Sequence, residues 1–247
     1  MNFKDHFSAQ AAIYREARPD YPAALFGFLA SQAPAHERAW DAGCGNGQAS
    51  VDLARHFRQV VATDPSAEQI GNAAARSNID YRVEPAEQST LATASVDLVC
   101  VAQALHWFDL DRFHAEVRRV LRPGGVAAFW SYADCRVDAA VDAQKNRPYV
   151  DLTGPHWPPG RAPLESGYAS LPFPFERIAA PAFELCMEWD VERYLAYLRS
   201  WSGTQRYIRA RGHDPVAIVE AELRTAWGAP GSVRPVRWDF HLRCGRA

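Results

Sequence analysis

From Ala39 to Trp130 the apolar positions switch repeatedly between short continuous runs and three-to-four-residue spacing, the pattern of parallel strands joined by crossover helices. Ala39 and Trp40 close a first strand ahead of Gly43, Gly45 and Gly47, and Val51, Leu53, Ala54 and Phe57 then recur at helical intervals. Val60 to Thr63 predicts a second strand ending on Asp64 and Pro65. Ser66, with Gln69 three residues on, forms a capping box for a helix carrying Ile70, Ala73 and Ala74. Ile79 to Val83 and Val96 to Ala102 predict strands three and four. Asp109 is placed as the N-cap of a helix with Phe113, Val117, Val120 and Leu121 on one face; Pro123, Gly124 and Gly125 stop it, and Val126 to Trp130 is strand five.

Two helices are predicted ahead of this core, Ser8 to Glu16 and Pro22 to Gln32, joined by a kink at Arg18, Pro19, Asp20 and Tyr21. Behind it Pro148, Pro155, Pro158, Pro159, Pro163, Pro172, Pro174 and Pro181 crowd together, which argues against regular sheet and predicts an irregular segment laid over the core. Helices resume after Asp190 and Asp214, and Val233 to Arg243 supplies a closing strand. The expectation is one α/β domain over residues 1–247: an N-terminal helical lid (1–34), a ligand-binding core (35–134), a Pro-rich cap (135–180) and C-terminal strands and helices (181–247).

Composition narrows the function. The chain has 27 basic and 29 acidic residues and a formal charge of -2, so no global positive field draws it to nucleic acid or an anionic membrane. Its five cysteines are scattered and never spaced C-x-x-C, which argues against a disulfide framework and a metal site and for a reducing, cytoplasmic home. No run approaches the roughly 18 uncharged apolar residues of a spanning helix.

The chemistry concentrates at strand ends. Glycines between Asp41 and Gly47, where a first strand gives way to a helix, let the backbone approach a ligand that a Cβ would block. No Gly-Lys-Ser or Gly-Lys-Thr follows, and the third glycine of a dinucleotide fingerprint would fall on Gln48, so neither a triphosphate nor a dinucleotide site is indicated. An acid two residues before the first glycine would repel a pyrophosphate and stabilise an ammonium or sulfonium. Asp64 stands where an acidic side chain accepts hydrogen bonds from ribose hydroxyls, and Glu87 follows the third strand at the adenine edge. Three strand-end acids favour a cationic nucleoside such as S-adenosylmethionine.

Together these residues resemble the class I S-adenosylmethionine-dependent methyltransferases with a type 11 methyltransferase domain. The resemblance rests on Asp41 to Gly47, Asp64, Ala86 with Glu87, Asp97 to Val99, and Arg119 to Gly125 in that order. Ala102 to Asp109, the early Tyr14, Arg18, Pro19, Tyr21 and Pro22, and Tyr197 to Ser202 are similar to the subgroup that includes trans-aconitate methyltransferase. The resemblance implies a Rossmann-like fold with a mostly parallel seven-stranded sheet, helices on both faces and a C-terminal substrate-covering insertion. It implies S-adenosylmethionine as methyl donor, S-adenosylhomocysteine as product and no metal. Tyr14 and Arg18 would hold the donor's carboxylate, Gly43, Gly45, Asp64, Pro65, Ala86 and Glu87 its nucleoside, and Ala102 and Gln103 its methionine part. His106 and Trp107 would flank the methyl group.

Transfer by direct in-line displacement is implied. A carboxylate acceptor is ionised at neutral pH and needs no base, whereas a phenol or amine would want His106 in that role. From Val191 onward ten arginines stand against five acids, either a solvated face or a wall that recruits an anionic acceptor; Arg199 and Arg206, seven apart, are expected to share a helix face. Tyr132 and Trp201 serve either the core or the acceptor. The expected activity is O-methylation of a small carboxylic acid. Carbon or phenol-oxygen methylation of a larger metabolite such as a quinone precursor, a nicotinamide oxidoreductase, and a non-catalytic S-adenosylmethionine-binding module remain as alternatives.

Overall fold

The strand-helix alternation from Ala39 to Trp130 is built as a parallel sheet in a computed structural model that describes residues 18–247. The expected helix at Ser8 to Glu16, and Tyr14 with it, lies outside the described residues. The chain enters through α1 (Ala23–Gln32) and then runs β1 (Arg38–Ala42), α2 (Gln48–Leu53), β2 (Gln59–Asp64), α3 (Ala67–Gly71), β3 (Ile79–Val83) and β4 (Val96–Ala102). It continues through α4 (Leu110–Val120), β5 (Leu121–Arg136), α5 (Ala139–Asn146), α6 (Ala162–Glu165), β6 (Glu176–Arg177) and β7 (Leu185–Trp189). It finishes with α7 (Val191–Arg199), α8 (Ser202–Arg211), α9 (Glu220–Trp227) and β8 (Arg234–Arg246).

The sheet order is β3-β2-β1-β4-β5-β8-β6, with β7 also pairing β8. The pairings among β1 to β5 are parallel and those made by β8 antiparallel. This is the Rossmann-like α/β fold, with eight strands among the described residues rather than seven. The extra one is β6, two residues long, at the sheet edge where a strand flanked by prolines is tolerated. Strand β5 begins five residues earlier than the apolar run implied. Leu121 pairs with Val96 and Val126 with Leu98, so Pro123, Gly124 and Gly125 are accommodated as a bulge rather than a gap.

Alternation along the strands sends side chains to two apolar layers. Ala39, Leu98, Cys100, Ala128 and Trp130 meet α1, α7 and α9 on one face, while Trp40, Val99, Val101, Ala127 and Phe129 meet α4 on the other. The helix starts follow the sequence: Ser66 accepts from the Gln69 amide at 3.2 Å, and Asp190 from that of Arg193 at 2.8 Å. Asp109 likewise caps α4. Asp97, fully buried, accepts from the Glu37 and Arg38 amides and pairs with Arg122, tying β4 to the start of β1.

The Pro-rich stretch folds into short helical turns over 147–165 rather than an open loop. The single face expected for Arg199 and Arg206 does not exist. Ser200 and Trp201 break the helix, Trp201 adopting an extended backbone (φ -64°, ψ 138°) that restarts the chain as α8. Among the described residues no helix is long and apolar enough to cross a membrane.

Candidate active site

The carboxyl ends of β1, β2 and β4 open into a cavity of about 750 Å³, at the upper end of the usual range for a small-molecule site. Its floor is the turn after β1. Gly43 and Cys44 donate their amides to the Thr63 carbonyl at 2.8 and 3.0 Å, and Gly45 donates to Asp64 Oδ2 at 2.9 Å. Asp64 Oδ1 accepts from the Ser66 amide at 2.9 Å, so this carboxylate locks the glycine turn to the start of α3 while it lines the cavity. Gly43 has φ +68°, and a Cβ there would lie 2.7 Å from the Ala104 Cβ and 2.8 Å from the Phe108 ring, so only glycine fits.

Of the residues expected to hold a nucleoside and its methionine, Arg18, Gly43, Gly45, Asp64, Pro65, Ala86, Glu87, Ala102 and Gln103 all line this cavity. Glu87 Oε1 accepts from the Asp109 amide at 2.9 Å, linking β3's exit to the cap of α4. Gln103 sits in the left-handed region (φ +61°), held by its amide to the Trp130 carbonyl and by Nε2 to the Tyr132 carbonyl at 2.8 Å. That grip leaves its buried Oε1 without a hydrogen-bond donor among the described residues. Arg18 reaches the Ser200 carbonyl at 3.5 Å and lies over the Tyr197 ring, so the entering chain is pinned across the cavity to α7.

Asp41 departs from expectation. It is fully buried beneath the turn rather than on the cavity wall, because its place on β1 points it into the layer under α2, where the Ser50 hydroxyl donates to Oδ2 at 2.6 Å. Burial, with the nearby Asp64 charge, pushes its carboxyl up to about 7. A permanently charged acid facing the ligand is therefore replaced by a half-protonated one supporting the turn. Its Oδ1 has no partner among the described residues.

At the other end of the cavity stand His106, Trp107, Tyr132, Trp201 and Arg206. His106 Nδ1 is 3.0 Å from the Tyr168 hydroxyl; burial, and then the Arg161 charge, lower the imidazole to about 3, so it is neutral at physiological pH. Trp107 is 38% exposed and is the most open aromatic of this wall. Arg206 makes no ion pair among the described residues. Arg199 is not at the cavity: it binds Asp214 at 2.7 Å and also Glu220, a consequence of the break at Ser200 that turns it away from α8.

Sequence reasoning missed Trp157, Arg161 and Asp134. The Arg161 guanidinium lies 3.9 Å over the Trp157 ring and donates to the Tyr149 hydroxyl at 2.9 Å. The signal available was Trp157, Pro158, Pro159, Gly160, Arg161, an aromatic and a cation flanking a rigid turn. Asp134 lines the cavity with one oxygen held by the buried Lys145 ammonium and the other accepting from the Cys135 amide at 2.8 Å.

A family model described as a methyltransferase domain matches residues 40–129, from the first strand to the fifth. A protein of Dictyostelium discoideum named as a methyltransferase is 33% identical over 229 residues, spanning 91% of this chain and 87% of its own length. One of Saccharomyces cerevisiae, named as an S-adenosylmethionine-dependent methyltransferase, is 32% identical over 132 residues, which cover 50% of this chain and 45% of that protein. A solved structure from Anaeromyxobacter dehalogenans, described as a type II methyltransferase, shares 48% identity and superposes with a TM-score of 0.86 over 93% of this chain and 97% of its own. With the glycine turn, the strand-end acids and the sheet order already in place, these likenesses make the chain a member of the class I S-adenosylmethionine-dependent methyltransferases, with a type 11 methyltransferase domain.

Proposed function

We propose that this methyltransferase esterifies a small carboxylic acid. The cradle suits its donor: the glycine turn leaves room for the nucleoside, Asp64 stands at the end of β2 where a carboxylate would meet ribose hydroxyls, and Gln103 Oε1, without a donor among the described residues, can accept from an ammonium group. Arg18, which lines the cavity, would take the donor's carboxylate, a role the resemblance also gives to Tyr14. When bound, S-adenosylmethionine supplies a methyl group already activated on a sulfonium. An acceptor oxygen forms the O–CH₃ bond as the S–CH₃ bond breaks, and the bonding pair stays on sulfur. Alignment and exclusion of water are then the work left to this chain. Trp107, Tyr132 and Trp201 shield the transfer point.

The observation that carries this reading is His106. A histidine held neutral down to about pH 3, with one ring nitrogen occupied by Tyr168, is a weak base for a phenol or amine. A carboxylate needs no base, and Arg206, which makes no ion pair among the described residues, adds a positive charge to the cavity that attracts it. This disfavours carbon and phenol-oxygen methylation. The nicotinamide oxidoreductase alternative is overturned by the family. A cytoplasmic location fits the free cysteines, of which Cys44, Cys100, Cys135 and Cys244 are buried. Transfer of a labelled methyl group into fractionated metabolites tests the reading: the label should be released by mild alkali, which cleaves esters and spares ethers and carbon-methyl products. Alkali-stable label refutes the ester, and absence of transfer favours a binding module.

A further inference from the structure

The acceptor wall contains a cation seated on aromatic surface. Arg161 is only 14% exposed at its side chain and is fixed by three contacts: the Trp157 face, the Tyr149 hydroxyl, and a 3.5 Å ion pair with Glu165, itself 65% exposed. Both the hydrogen bond and the ion pair use the same terminal nitrogen, Nη1. The other two nitrogens make no hydrogen bond among the described residues, and Arg161 lines the cavity. The platform is rigid. Gly203 admits the Trp157 ring so closely that a Cβ there would lie 2.8 Å from it, and Trp157 packs at 5.8 Å on Trp201, which meets Tyr149 at 5.2 Å. Gly160 holds this segment against the His106–Trp107 turn, 3.5 Å from the Trp107 ring to the position a Cβ would take. A fixed guanidinium with unused donors is thus built into an aromatic wall beside the transfer point.

We infer that Arg161 is the specificity-determining residue for the acceptor, and that the acceptor is a flat aromatic or conjugated monocarboxylic acid. This rests on the esterification reading above. One carboxylate oxygen accepts from the Arg161 nitrogens that make no hydrogen bond among the described residues, which leaves the second oxygen for the methyl group, and the planar body lies against Trp107, the exposed aromatic of this wall. A saturated body of the same size would lose the stacking, and a neutral isostere would leave a desolvated guanidinium without its anion. The ester product carries no charge, so the grip that orients the acid is released once methyl transfer is complete.

The test uses the full chain saturated with S-adenosylhomocysteine, and cinnamate, cinnamamide and 3-cyclohexylpropanoate as probes in calorimetry. Cinnamate should bind at least tenfold more tightly than either of the others. Arg161→Gln should erase the preference for cinnamate over cinnamamide, and Arg161→Lys should restore part of it. In methyl transfer, Arg161→Gln should raise the KM for cinnamate tenfold or more with a much smaller change in kcat. Equal binding of the three probes by the wild-type chain, or no binding of any, overturns the inference without recourse to a variant; so does a preference that survives Arg161→Gln. Failure of the wild-type chain to bind S-adenosylhomocysteine would bring down the underlying reading and this inference with it, whereas bound S-adenosylhomocysteine with no acid preference brings down this inference alone.

Discussion

Gly45 and Asp64 form one unit: the glycine amide donates to Oδ2 at 2.9 Å while Oδ1 takes the Ser66 amide, so a single carboxylate joins the turn after β1 to the helix after β2. Asp64→Ala should therefore do two things together. It should weaken S-adenosylhomocysteine by about 2 kcal/mol or more, roughly thirtyfold in Kd, and loosen the turn that shapes the cavity. Calorimetry reads the first and amide hydrogen exchange at Gly43 to Gly47 the second; unchanged affinity would remove the ribose from this residue.

His106 should be dispensable as a base. With the imidazole lowered from its ordinary range to about 3, no inflection belonging to it should appear in kcat between pH 5 and 8. His106→Ala should keep turnover within about tenfold of wild type, because proton transfer itself is typically worth 10²-fold or more where it matters. A thousandfold loss in a folded variant would assign it the proton.

Arg199 and Arg206 should separate. Arg206→Ala is expected to raise the acceptor KM severalfold with little change in melting temperature. Arg199→Ala removes ion pairs to Asp214 and Glu220 at a side chain 35% exposed, so it should lower stability by about 1 kcal/mol and leave KM near wild type. Paired thermal melts and kinetics on the two variants decide it, and the reverse assignment would exchange their places.

Asp41 gives stability a pH signature of its own. Its native carboxyl titrates near 7 and an unfolded one near 3.8, so the folded chain retains a proton that the unfolded chain has released between those values. This residue's contribution is full below about pH 3.8, declines as pH rises and is gone above about 7. Asp41→Asn should accordingly change the melting temperature more favourably at pH 8 than at pH 5. A difference independent of pH would mean that Asp41 titrates normally.

What the sequence discloses, and what it does not, follows from how local each determinant is. β3 and β4 are legible to the residue, β3 from its alternation of apolar and polar positions and β4 from an apolar run, and Asp109, Ser66 and Asp190 act as caps because capping is decided within three residues. The cavity residues from Gly43 to Gln103 are legible for the same reason, since each stands at or just beyond the carboxyl end of a strand. Asp41 was misplaced because residue type and spacing do not reveal which way a strand-end side chain points. Arg199 and Arg206 do not share the expected face because the break at Ser200–Trp201 is marked by no proline or glycine and goes with the packing of Trp201 on Tyr149, Trp157 and Tyr197, partners distant or unpatterned in sequence. Arg161 escaped notice because its partners Tyr149 and Trp157 belong to turns without periodicity, and its significance arises only where that segment meets α8.

The close fit of Trp157 onto Gly203 has a consequence for how this enzyme can change. The glycine turn and the strand-end residues of the cavity are assembled by the sheet, while the far wall joins His106, Trp107 and Tyr132 to residues of 147–165 and of the start of α8, two segments that grip each other through that contact. Grafting either segment by itself should leave the Trp157 ring without its seat, so the two can be exchanged only as a matched pair.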